Sequence, residues 1–140
     1  MAGEIVVGYD GSPCGKAALL VAADIAGHYG VGLCVAFCDE APAMRAGGAG
    51  DQRRQIAAIG EEALSEVDAL IGETGVVIER MIIEARPVDG LLELADERDA
   101  PVIVVGSKGH GLFKSAILGS TPHKLLAWSQ RPVLVVPAPE

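Results

Sequence analysis

The chain reads as a doubly wound α/β protein: one Rossmann-like, five-stranded parallel sheet with helices on both faces. Three observations predict this. Short apolar runs rich in β-branched residues recur along the chain, helical periodicity follows the first four of them, and capping residues or proline stand where those helical segments begin. Strands that read as continuous apolar runs are covered on both faces, and in alternation with helices they build a parallel sheet.

EIVVG at 4–8 is the first strand. Ser12 can cap the helix that follows, and Pro13 suits its first position, where a missing N–H has no intrahelical partner. Ala17, Val21 and Ile25 mark one face of that helix until Gly30 stops it. VGLCVAFC at 31–38 is a second buried strand, and DEAPAMRAGGAG at 39–50, without apolar period, is a loop. Asp51 can cap a second helix over about 51–72, striped by Ile56, Ala63, Val67 and Leu70 and stopped by Gly72 and Gly75. VVIERMIIE at 76–84 is the third strand, after which Pro87 opens a helix carrying Val88, Leu91, Leu92 and Ala95 on one side. PVIVVG at 101–106 is the fourth strand. The polar, glycine-rich SKGHGLFKSAILGS leads to a last helix that Thr121 can cap and Pro122 can start, ending near Gln130, and PVLVV at 132–136 is the fifth strand.

Composition removes several function classes. A length of 140 residues suits one domain over 1–140. Eleven Lys and Arg against 19 Asp and Glu leave a net charge of −8, so the cationic attraction that dominates nucleic-acid affinity is missing. Mean hydropathy is positive at +0.36. Even so, the longest plainly apolar run, at 31–38, falls far short of the ~20 residues a spanning helix needs, so no membrane partner is expected. Glu4 stands where a secretory leader would be basic, and three cysteines without a C-x-x-C pair describe neither a disulfide framework nor a zinc site. The expected compartment is the reducing cytoplasm. Cys34 and Cys38 share one strand face as ordinary core residues, whereas Cys14 stands in the first turn of a helix, where the dipole favours a thiolate.

In open parallel sheets, ligands bind beyond the carboxyl ends of the strands, where the strand order reverses. Two such ends are polar and glycine-containing: YDGS after strand one and GSKGHG after strand four. If those strands are neighbours, their ends enclose one crevice. Gly106, Gly109 and Gly111, followed by Gly119 and Ser120, let the backbone approach a ligand closely, and loop N–H groups beside a helix N-terminus attract phosphate oxygens. The loop is not a Walker P-loop, because Leu112-Phe113 stands where Lys-Ser/Thr is required. Nor is it a dinucleotide fingerprint, because Lys114 occupies the third glycine position. Asp10 can serve a ligand or cap the first helix, and Lys108 and Lys114 can neutralise phosphate or face solvent. His110 and His123 have no carboxylate partner visible in the sequence, which speaks against general-base roles, and no catalytic or metal-ligating residue is assigned.

Gly106-x2-Gly109-x9-Gly119-Ser120 resembles the ATP-binding motif of the universal stress protein family in spacing and in its place after strand four. VVGYDGS at 6–12, Pro87 opening the third helix and the closing PVLVV carry the resemblance across nearly the whole chain. It implies that Asp10, with Gly8 and Tyr9 before it, lies beside the adenosine, and that the backbone of Phe37 meets adenine. It also implies that Gly106, Ser107, Gly109, His110, Gly119, Ser120 and Thr121 surround the ribose and phosphates. A divalent ion, Mg2+ or Mn2+, is implied as held largely by the phosphates. The chain departs from the family pattern at Ala85, where glycine is usual, and at Pro122, which removes one N–H from the phosphate shell.

The expected function is that of a cytoplasmic ATP-binding stress-response or signalling module, with little or no turnover and with a protein partner that the sequence does not name. The alternative is a slow ATPase or an adenylyl or phosphoryl transferase using the same crevice. The resemblance also implies a homodimer through the terminal strand at 132–137, an apolar segment with no charge between Arg131 and Glu140 to blunt a sheet edge.

Overall fold

The computed structural model describes residues 3–39, 48–109 and 118–139. Strands β1 (Ile5–Gly8), β2 (Leu33–Asp39), β3 (Ile78–Glu84), β4 (Ile103–Gly106) and β5 (Val133–Val136) form one sheet in the order β3-β2-β1-β4-β5. Every pairing is parallel, with Val7 opposite Val35 on one side and Val104 on the other. The helices are α1 (Pro13–Tyr29), α2 (Gly48–Ser65), α3 (Val67–Ile71), α4 (Pro87–Glu97) and α5 (Ser120–Trp128). The doubly wound α/β expectation holds.

Alternate strand residues divide the core in two. Ile5, Val7, Leu33, Val35 and Val104 face α1, α2 and α3, while Val6, Cys34, Ala36, Ile103 and Val105 face α4 and α5. Cys34 and Cys38 do share a face, on the α4 side, and burial pushes their thiols up to about 11 and about 12. The predicted starts of α1 and α4 hold as well. Ser12 accepts a hydrogen bond from Gly15 N–H, Gly30 ends α1 in the left-handed conformation, and Pro87 begins α4.

Several local expectations need correction. The buried face of α1 centres on Ala18, Leu19, Ala22 and Ala26, with Ala17, Val21 and Ile25 on its flank, because small side chains let the helix lie close on the sheet. The helix expected over 51–72 is two helices. Ser65 Oγ donates back to the Glu62 carbonyl at 2.6 Å, a local bond that competes with the helical ladder, and the break seats Val67 fully buried in the core. Helix α2 begins at Gly48, so Asp51 lies in its first turn and is not its cap, and 48–50 are helical where a loop was expected. The cap of α5 is Gly119, not Thr121; Pro122 sits in the first turn, where N–H groups lack intrahelical partners, and the helix ends at Trp128.

The two sheet edges differ. Along β3, Glu79 pairs with Arg98, Arg80 with Asp68, and Glu84 with Arg53. Charges of this kind deter edge-to-edge pairing. Arg98 also reaches Glu4 at 3.1 Å, so it neutralises the cluster of Glu4, Cys34 and Glu79 at the amino end of the sheet. On β5, Leu134 is 37 % exposed and no charge intervenes.

Candidate functional site between strands β1 and β4

The chain runs from β1 to β2 and β3 on one side and returns to β4 and β5 on the other, so the order reverses between β1 and β4. Their carboxyl ends lie side by side and open the crevice that the sequence conditionally predicts. Ser12 at the start of α1 and Gly119 at the start of α5 follow from those ends, which aims two helix N-termini at the same region.

Asp10 is half-buried and organises the first wall. Its Oδ1 accepts from the Ser12 backbone N–H at 2.9 Å and from the Ser12 hydroxyl, which in turn receives Gly15 N–H at 3.1 Å. Asp10 thus orients the cap of α1, while Ser12 is the cap. Gly15 makes room for this arrangement: a Cβ there would stand 2.6 Å from Asp10 Oδ1. The other oxygen, Oδ2, lies 3.1 Å from where a Cβ on Gly109 would be, so the loop after β4 passes directly over Asp10.

The second wall closes on Ser107. Its carbonyl accepts from Gly119 N–H at 2.7 Å, and its own N–H donates to the Val136 carbonyl at 2.8 Å. Its hydroxyl lies 3.5 Å from Cys14 Sγ. Burial raises the Cys14 thiol, but the Ser107 hydroxyl, the backbone of Lys108 and Ala138 and the Lys108 charge outweigh it and bring the group below its ordinary value. Cys14 and Gly15 are therefore parts of this region that the sequence marks only by helix position. Ser120 is exposed and Thr121 half-buried at the start of α5.

The structure therefore brings Asp10, Gly106, Ser107, Gly109 and Gly119 together. Gly106 serves packing, since a Cβ there would meet the Cys14 backbone at 2.7 Å. Gly8 is likewise enclosed, with Leu91 and Val105 at 3.0 and 3.2 Å from its Cβ position. Phe37 is 5 % exposed, and its ring lies against Gly60 of α2, so only its backbone is available to a ligand. His110 and Lys114 lie outside the described residues, and His123 is exposed on α5. A separate groove lined by Glu61, Leu64, Ser65, Asp68, Arg80 and Ile82 lies by β3, away from the crevice, and Arg80 is paired with Asp68 there.

Tyr9 points into the core at 2 % exposure, its N–H bound to the Ala36 carbonyl at 2.9 Å and its hydroxyl without a hydrogen-bond partner among the described residues. Glu66, paired with Lys16 at 3.5 Å, acts on the phenol without reaching hydrogen-bond geometry. Burial first, then the charges of Glu66 and Asp10, push this phenol up to about 12. The unfolded chain releases the proton near pH 10, so the stabilising contribution is complete below pH 10 and is lost as pH rises through about 12. Alkaline absorbance titration should show a phenol step near pH 12 that Tyr9→Phe removes. Because an unpaired buried hydroxyl is a cost, Tyr9→Phe should leave neutral-pH stability unchanged or raise it by about 1 kcal/mol. A clear loss in urea denaturation would show the hydroxyl to be bonded.

The model of the universal stress protein family matches residues 1–137. The chain belongs to the universal stress protein family. A universal stress protein of Thermus aquaticus is 33 % identical over 94 % of this chain and 96 % of its own length. One of Mycobacterium tuberculosis strain H37Rv is 34 % identical over 97 % of this chain but only 44 % of its own length, so the chain spans about half of that relative. A solved universal stress protein, described as a complex with cAMP, superposes with a TM-score of 0.71 at 30 % identity over 99 % of this chain and 98 % of that one. Among the described residues of this family member, no helix is long and apolar enough to cross a membrane.

Proposed function

We propose that this universal stress protein binds an adenine nucleotide, ATP with a divalent ion, in the β1/β4 crevice and acts as a nucleotide-dependent stress-response or signalling module. The observation that carries the reading is the passage of Gly109 over Asp10 while Gly119 closes on Ser107. The side-chain-free backbone at Gly109, two helix N-termini and the hydroxyls of Ser120 and Thr121 form a donor set suited to phosphate. The cAMP complex of the 30 % identical structure supports an adenine nucleotide as the ligand. In this reading, Asp10 takes sugar hydroxyls, backbone groups near Gly8, Tyr9 and Phe37 take the base, and Ser107, Gly109, His110 and Gly119–Thr121 take the phosphates. The N–H missing at Pro122 leaves those of Ser120 and Thr121. Mg2+ or Mn2+ would be held mainly by the phosphates.

The same reading treats 1–140 as one nucleotide-binding domain, places it in the cytoplasm, and assigns it a homodimer through β5, whose outer edge is apolar while that of β3 is charged. A protein partner would read the loaded state. A cradle that grips ground state and transition state alike accelerates little, so phosphate release should stay below about 1 s⁻¹. The test is to identify any nucleotide released on denaturation and to titrate ATP calorimetrically with and without Mg2+. Ser120→Ala should weaken binding by about 1 kcal/mol, the usual effect of one lost hydrogen bond. No bound or titratable adenine nucleotide would overturn the assignment.

A further inference from the structure

We propose that ligand occupancy at the loop after β4 and self-pairing through the β5 edge favour each other, coupled through Ser107. This rests on the nucleotide reading above and adds the regulation of that site. Ser107 has both backbone groups committed, and to different elements. Its carbonyl receives Gly119 N–H at the start of α5, and its N–H holds the Val136 carbonyl at the end of β5. Strand β5 is only four residues long and, among the described residues, pairs with β4 alone. Its ladder begins with Ile103 N–H on the Pro132 carbonyl and ends with the Ser107 bond, both 2.8–2.9 Å. The last tie of the edge strand therefore comes from the loop that would cradle phosphate.

The geometry also says which groups respond. In a parallel ladder the N–H and C=O of one residue point the same way, and successive residues alternate. The Pro132 and Val136 carbonyls point to β4, so Val133 and Val135 present theirs to the open edge. Val135 directly precedes the residue that Ser107 holds. Cys14 ties the same junction to α1, through Ser107 Oγ at 3.5 Å. A phosphate drawing on the Ser107–Gly109 backbone and the start of α5 restrains Ser107. A second copy paired along β5 restrains Val135 and Val136. Each event removes freedom that the other would otherwise have to remove, so the coupling is positive and reciprocal.

Sedimentation equilibrium of the full chain with and without saturating ATP and Mg2+ tests this directly. The expected result is a dimer at least tenfold tighter in the loaded state. Calorimetry should then show ATP binding weaker by about the square root of that factor, roughly threefold per site because each dimer loads two, in Leu134→Lys, which charges the 37 % exposed edge residue without opening the core. Hydrogen exchange at the Ser107 amide should slow on loading in that variant as well as in the wild type. A dimer constant that is unchanged or weakened while ATP binds overturns the coupling, as does a wild type that binds ATP and stays monomeric. These outcomes leave the nucleotide reading standing. Absence of ATP binding to the wild type overturns that reading first and the coupling with it. The sedimentation arm needs no variant, so misfolding of Leu134→Lys cannot shield the proposal.

Discussion

Replacing Gly109 by valine should abolish adenine-nucleotide binding while the far-UV spectrum keeps its native form. Gly109 is exposed, and among the described residues its side-chain position is open except toward the crevice, where a Cβ would already stand 3.1 Å from Asp10 Oδ2. Valine adds two more carbons to that gap, and the carboxylate cannot retreat without straining its bonds to Ser12. The ligand would meet methyl groups where it needs backbone. Isothermal calorimetry should register a loss of at least about 100-fold in affinity, roughly 2.7 kcal/mol. Binding that survives in the valine variant would remove the loop from the site.

Gly106→Val should have the opposite profile and weaken the fold itself. At Gly106 a Cβ would lie 2.7 Å from the Cys14 carbonyl carbon, 2.8 Å from its Cβ and 2.9 Å from its oxygen. Those atoms belong to the first turn of α1 and cannot swing aside as a flexible side chain could. Overpacking of a core costs about 1–3 kcal/mol, and a β-branched residue against helix backbone belongs at the upper end. Urea denaturation should therefore show a clearly lower midpoint, equivalent to about 3 kcal/mol. An unchanged midpoint would mean that α1 does not press on β4 as the structure has it. The two variants split one motif into a glycine for the ligand and a glycine for packing.

That split marks how far the sequence is legible. Gly106 and Gly109 look alike in a spacing pattern, and the reason each lacks a side chain lies 92 and 99 residues away, at Cys14 and Asp10. Phe37 and Tyr9 are similar cases. The motif context points both toward a base and sugar, yet the first ring packs on Gly60 and the second carries an unpaired phenol into the core. The helix expected over 51–72 misled because its apolar stripe continues through Ser65, and stripes report burial, not the bond that Ser65 makes to Glu62.

The sequence by itself determined the alternation of strand and helix, the cap at Ser12, the stop at Gly30, the proline start of α4 and the spacing Gly106-Gly109-Gly119-Ser120. These are local properties: a cap, a left-handed glycine or an apolar run states its conformation within a few residues. Only the tertiary structure decided that β1 lies beside β4, that Asp10 meets Gly109, that α2 and α3 are separate, and that Ser107 ties the loop to the edge strand. Each of those depends on the register between segments distant in the chain and on how closely helices settle on the sheet. Register and packing are properties of the assembled core, so no window of sequence contains them.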